Sequence, residues 1–138
     1  MTEIRRLGPG DEQLVVAAAH LFDGPARPEA TERFLSDPRH HLFIASTDAR
    51  AVGFVSGVEV THPDKGTEMF LYELAVDEPY RRRGIARSLV EALVAAARQA
   101  GCYGMWVVTD HDNQAARATY EGTGGCPETN QVVEVWTF

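Results

Sequence analysis

The stretch Leu71-Tyr72-Glu73-Leu74-Ala75-Val76-Asp77-Glu78-Pro79-Tyr80-Arg81-Arg82-Arg83-Gly84-Ile85-Ala86 changes its period midway. Up to Val76 the run is apolar and reads as a strand. Beyond Gly84, Ile85, Leu89, Leu93 and Ala97 recur at helical spacing with Ala86, Val90 and Val94 beside them, so Gly84 to Ala100 is predicted to be an amphipathic helix. Between the two lies a basic turn. The first N–H groups of a helix lack partners within it, and the helix dipole makes them good donors to phosphate oxygens. Gly84 carries no side chain to keep a diphosphate away, and Arg81, Arg82 and Arg83 add charge-assisted donors around it.

Working outward, Met69 to Val76 is predicted as a strand, preceded by the turn His62 to Gly66. Ala51 to Val60 and His41 to Ser46 are two more strands, the former holding Gly53 and Gly57 where larger side chains would crowd a neighbour. Upstream, Ile4 to Leu7 reads as a first strand, and Asp11 as the cap of a helix with apolar positions Leu14, Val15, Ala18, Ala19 and Phe22. Asp23-Gly24-Pro25 breaks that helix, and a second runs from Pro28 to Ser36. Downstream, Met105 to Thr109 is a strand, Asn113 to Glu121 a short helix, and Val132 to Phe138 a final strand. The predicted order βααβββαβαβ implies an α+β sandwich around a mixed, mostly antiparallel sheet.

A chain of 138 residues, 44% hydrophobic and 24% charged, fits one domain spanning residues 1–138. No apolar run reaches the roughly 20 residues that span a bilayer, and the start lacks the apolar core of a signal peptide, so the cytoplasm is the expected compartment. Cys102 and Cys126 offer neither a disulfide framework nor metal-ligand spacing. A net charge of −7 argues against nucleic acid and favours a cationic ligand. His40 and His41 would point to opposite faces of a strand and are expected to be surface histidines.

A dinucleotide-binding turn needs G-x-G-x-x-G and a later acidic residue, and a phosphate loop needs G-x-x-x-x-G-K-[ST]; neither pattern is present. The turn does read Arg81-x-x-Gly84-x-Ala86, after Leu74-Ala75-Val76 and before Asn113 and Tyr120. In this setting Met69 to Gly125 resembles the GCN5-related N-acetyltransferases. The resemblance implies acetyl-coenzyme A as co-substrate, with its diphosphate on Arg81 to Ala86. It further implies a strand splayed by a bulge after Glu73, freeing Leu74, Ala75 and Val76 to bond the pantetheine arm, with Asn113 capping the short helix and touching the same arm. The cofactor would lie in the gap between the strands Met69–Val76 and Met105–Thr109.

Glu73, beside that bulge, is the candidate general base, directly or through a water, or else an anion that anchors the substrate. Tyr120 is the candidate general acid for the leaving thiolate. More broadly, Ile4 to Pro9, Leu21 to Gly24, Phe43 to Ala45 and Leu71 to Val76 are similar to the aminoglycoside 3-N-acetyltransferases of the gentamicin/fortimicin type, in which the strand usually reads Tyr-Asp-Leu-Ala-Val where this chain has Glu73. The segment between Phe22 and His41 is also shorter than in those enzymes. The implied acceptor is a polycationic small-molecule amine, held by Glu73, Asp110, Asp112, Glu128 and Glu134. Acetylation of another metabolite or protein amine, or coenzyme binding without catalysis, are the competing readings. Val132 to Phe138 could close the monomer's own sheet or pair with a second subunit to make a homodimer.

Overall fold

A computed structural model describes residues 1–138. Its elements are β1 (Thr2–Arg6), α1 (Glu12–Ala17), a 3₁₀ turn (Ala19–Leu21), α2 (Pro28–Ser36), β2 (His40–Thr47), β3 (Arg50–His62), β4 (Gly66–Val76), a second 3₁₀ turn (Glu78–Tyr80), α3 (Ile85–Gln99), β5 (Met105–Val107) and α4 (Gln114–Gly122). The strands form one sheet in the order β1-β2-β3-β4-β5, in which only β4 and β5 run parallel. Four helices flank this mixed sheet, the α+β arrangement that the sequence predicts.

Each sheet face has its own core. On one, α3 buries Ile85, Leu89, Val90, Leu93 and Ala97 against Ala45, Val52, Val55, Met69 and Leu71. On the other, Val15, Ala18 and Leu35 cover Leu42, Ile44 and Phe54. Truncating one of the buried leucines of α3 to Ala would cost about 2–5 kcal/mol. The helix seats closely because β3 presents glycines beneath it. A Cβ on Gly53 would come within 3.0 Å of the Ala75 carbonyl oxygen, and one on Gly57 within 3.0 Å of both Leu93 methyls.

Four expectations are corrected. Asp11 precedes α1 but caps none of its amides; its carboxylate accepts from the Gly8 amide at 2.8 Å and from Arg5 at 2.9 Å, so it closes the turn instead. The first helix stops at Ala17 and tightens into the 3₁₀ turn, leaving Leu14 exposed. His41 is no surface residue: it is buried on β2, with Nε2 2.7 Å from Glu59 Oε2. Burial holds its imidazole below the usual value against the opposing pull of Glu59. Finally, Val132 to Phe138 forms no strand; after the bond from the Gly125 amide to the Tyr120 carbonyl, the main chain makes no further main-chain hydrogen bond. A strand is defined by its neighbour, and period-2 patterning alone supplies none.

Candidate active site

β4 and β5 pair at only three positions, Met69 with Met105, Phe70 with Trp106 and Leu71 with Val107. Beyond Leu71 they diverge, so the β4 groups that face β5 have no strand opposite them through Val76. On its other side β4 stays paired, with Glu73 opposite Ser56, Leu74 opposite Val55, Ala75 opposite Phe54 and Val76 opposite Gly53. The register shifts between Ser56 and Gly57, which leaves Tyr72 as the extra residue. The bulge therefore lies just before Glu73, not after it, and loss of β5 rather than loss of β3 is what leaves the outer edge of β4 from Leu74 to Val76 without a strand partner.

Because β4 and β5 are parallel, their C-terminal ends open on the same side, and α3 begins there. Arg82 and Gly84 both adopt left-handed backbone, at φ 64° and 80°. The chain thereby turns sharply enough to direct successive amides outward, and Gly84 carries that conformation without strain. No protein group accepts from the amides of Arg82, Arg83, Gly84, Ile85, Ala86 or Arg87, and the first helical bond runs from Ser88 to Gly84 at 3.0 Å. Space around Gly84 is open: a Cβ there would meet nothing within 4 Å. The three arginines differ in use. Arg81 donates from Nε to the Val76 carbonyl at 3.0 Å, pinning strand end to turn. Arg83 lies over the Tyr80 ring at 5.2 Å, and Arg82 is exposed with no partner. A row of unpartnered amides, a bare glycine and two available guanidinium groups fit an anionic diphosphate.

Glu73 shares the sheet face of Phe54 and Ser56, the side covered by α1 and α2. Half-buried, it makes no hydrogen bond, and burial raises its carboxyl above the usual value, with a further push from the negative charge of Asp23. Asp23 was read from sequence as part of a helix breaker and of the stretch Leu21 to Gly24, not as a neighbour of Glu73. The fold brings it near Glu73 because His20 bonds the Ala51 carbonyl at 2.9 Å and Phe22 packs on Phe54 at 4.5 Å, fixing the segment above β3.

Tyr120 lies on α4, half-buried against the core on the α3 face. Burial raises its phenol above the usual value, further from neutral pH. Glu73 and Tyr120 thus lie on opposite faces of the sheet. Asn113 caps α4, accepting from the Ala116 amide at 3.1 Å. Asp110 and Asp112 follow β5 at the open end of the gap, exposed and free of ion pairs, while the Asp110 carbonyl accepts from the Asn113 amide at 3.0 Å. Glu128 and Glu134 are not brought to this group: both lie exposed on the unpaired tail.

A family model described as "Acetyltransferase (GNAT) family" matches residues 12–124. YycN of Bacillus subtilis (strain 168), an uncharacterised N-acetyltransferase, is 36% identical over 108 residues, covering 77% of this chain and 68% of its own length. Of several other curated relatives the chain spans less than half the length. Among solved structures, the aminoglycoside acetyltransferase meta-AAC0020, from an uncultured soil metagenomic sample and in complex with trehalose, superposes with a TM-score of 0.89 at 21% identity, covering 99% of this chain and 96% of that one. AAC(6')-Iy, in complex with a bisubstrate analogue of coenzyme A and acetylneamine, gives 0.81 at 23% identity, covering 100% and 99%. At these identities the structural likeness establishes the fold, which is that of the acyl-CoA N-acyltransferases. From the family model over most of its length and a relative of more than one-third identity, the chain belongs to the acetyltransferase (GNAT) family and is an N-acetyltransferase.

Proposed function

We propose that this domain transfers the acetyl group of acetyl-coenzyme A to a primary amine by direct attack, and that its acceptor is a polycationic amine of the aminoglycoside class, acetylated at N-3. The observation that carries the reading is the run of unpartnered amides from Arg82 to Arg87 at the open end of the splayed β4–β5 pair. Acetyl-coenzyme A, when bound, supplies an activated thioester. Arg82, Arg83 and the amides of Gly84 to Ala86 hold its diphosphate, while the free edge of Leu74 to Val76, with Asn113, orients the pantetheine arm. Glu73 takes a proton from the acceptor's ammonium, directly or through a water, so that the neutral amine attacks the thioester carbonyl, and its raised pKa suits it to that work. Tyr120, protonated and on the other face, returns a proton to the leaving sulfur. No covalent protein intermediate is needed.

Glu73 also anchors the acceptor's positive charge, and Asp110 and Asp112 draw it to the cleft. The enzyme works in the cytoplasm, as a homodimer, without nucleic acid or membrane. The acceptor class rests on the resemblance of Ile4 to Pro9, Leu21 to Gly24 and Leu71 to Val76, and AAC(6')-Iy and meta-AAC0020 are named as aminoglycoside enzymes. Release of coenzyme A is measured with acetyl-coenzyme A and a panel of gentamicin-type compounds, spermidine and peptides, and the acetylated nitrogen is located by NMR. Turnover on the aminoglycosides with an N-3 product is expected. Turnover confined to spermidine or peptides overturns the acceptor, a 6'-N product overturns the position, and coenzyme binding without any transfer overturns the catalytic reading.

A further inference from the structure

The α1–α2 layer covers only part of its sheet face. Its core takes in Leu42 and Ile44 of β2 and Phe54 of β3, with Ala75 at the end of β4 packed against it. Side chains alternate along a strand, so Ser56, Val58 and Val60 share the face of Phe54. Their partners on β4 are Glu73, Phe70 and Glu68, and Trp106 of β5 lies opposite Phe70. Phe70, Tyr72 and Trp106 belong to neither core. A contiguous aromatic patch left to water marks a binding surface.

The three rings are ordered against one another. Phe70 stacks on Trp106 with centroids 4.2 Å apart and planes 28° from parallel, and it meets Tyr72 edge to face at 5.9 Å. Phe70 is thereby half-buried, whereas Trp106 remains 44% and Tyr72 69% exposed. The charge around them has one sign. Gly66 to Val76 and Met105 to Thr109 hold no Lys or Arg. Glu68 and Glu73 bracket the rings on β4, half-buried and without cationic partners, and Asp110 follows β5. At about 3.3 Å per residue the bracket spans roughly 13–17 Å, longer than one sugar ring.

We propose that Trp106, backed by Phe70, forms with Tyr72 a stacking wall of the acceptor site, against which an amino sugar ring lies while its ammonium groups meet the flanking carboxylates. This rests on the aminoglycoside reading and adds to it the residues that select rings over open-chain amines. An aromatic face is negative, and an ammonium with the C–H groups beside it is positive, so the two attract. A purely apolar ligand would cover the rings but leave the three carboxylates unmatched. A compact ammonium would match a carboxylate and leave the rings wet. An amine-bearing saturated ring answers both. A flexible polyamine could touch both as well, but it would lose rotamer freedom that a ring has already given up.

Trp106→Leu keeps an apolar strand residue and removes the indole. Its KM for gentamicin-type compounds should rise about 2- to 30-fold, with a smaller change in kcat and a smaller rise in KM for spermidine. Trp106→Phe should recover part of the loss. Saturation-transfer NMR, irradiating the protein's aromatic protons, should label the ring C–H protons of a bound gentamicin-type compound in the wild type and lose that labelling in Trp106→Leu. Circular dichroism reports whether the variant folds; if it does not, Tyr72→Leu decides, because Tyr72 is largely exposed. Turnover of aminoglycosides with KM and labelling unmoved in the folded variant overturns the wall and leaves the acceptor class standing. An equal rise for spermidine overturns the selection of rings. No aminoglycoside turnover or binding by the wild type overturns the acceptor class and the wall together.

Discussion

Gly57→Ala tests the seating of α3 on the sheet. A Cβ at position 57 would stand 3.0 Å from both Leu93 methyls and 3.1 Å from the Met69 sulfur. Leu93 and Met69 are fully buried, so neither can swing toward solvent. Overpacking of this kind costs about 1–3 kcal/mol. Replacing glycine also restricts the unfolded chain, which offsets about 0.4–1 kcal/mol. The net loss of about 0–2.6 kcal/mol corresponds, at roughly 4 °C per kcal/mol for this length, to a Tm lowered by up to about 10 °C. Gly8→Ala is the control: its Cβ meets nothing within 4 Å, so Tm should hold or rise slightly. Adding Leu93→Val to Gly57→Ala should cost less than the two single changes summed, because the valine vacates the contested space. Tm is read by calorimetry or circular dichroism. If Gly57→Ala melts above the wild type, the close approach of α3 to β3 is wrong.

The remaining expectations concern the proposed chemistry. The acid limb of kcat/KM should lie above the ordinary carboxylate range, since burial and then Asp23 raise Glu73, and activity should grow as pH rises through it. Asp23→Asn removes a like charge and should move that limb to lower pH; an unmoved limb separates Asp23 from the site. Glu73→Gln should lower kcat by about 10²-fold or more with little change in coenzyme binding. Because the folded carboxyl is raised, the native state holds the proton through a pH window where the unfolded chain has lost it. Stability falls as pH climbs through that window, so Glu73→Gln should melt higher than wild type at neutral pH. Tyr120→Phe should lower kcat by about 10²-fold, whereas a change below about twofold would make it a packing aromatic. Gly84→Ala meets no neighbour but places a Cβ in left-handed backbone at a cost of about 1–2 kcal/mol, and the KM for acetyl-coenzyme A should rise about tenfold.

The long helix and the four longer strands could be read from residue order, because each has enough turns or β-branched positions for its period to dominate. The turn from Arg81 into α3 was equally legible, since its signal sits in consecutive residues. The bulge was misplaced because its position depends on how β4 registers against Ser56 and Gly57, which no local pattern of β4 records. Asp23 escaped notice because its nearness to Glu73 depends on Phe22 finding Phe54, a contact across 32 positions of sequence. His41 was read as surface because it and His40 point to opposite faces and converge on no shared ligand, while its burial is coupled to Glu59 on the next strand. The tail shows the reverse: its β-branched and aromatic residues read plainly as a strand, yet a strand also needs a partner.

The three-pair junction of β4 and β5 has a consequence for endurance as well as for catalysis. β5 and α4, with Tyr120, hang from that junction and from the packing of α4 on α3. A molecule wedged in the fork, bonded to the edge of β4, would brace this arm as a splint does. At a hundredfold excess over Kd such a ligand adds about 2.7 kcal/mol to the folded state. The enzyme's resistance to heat and proteolysis would then rise and fall with the supply of its acetyl donor.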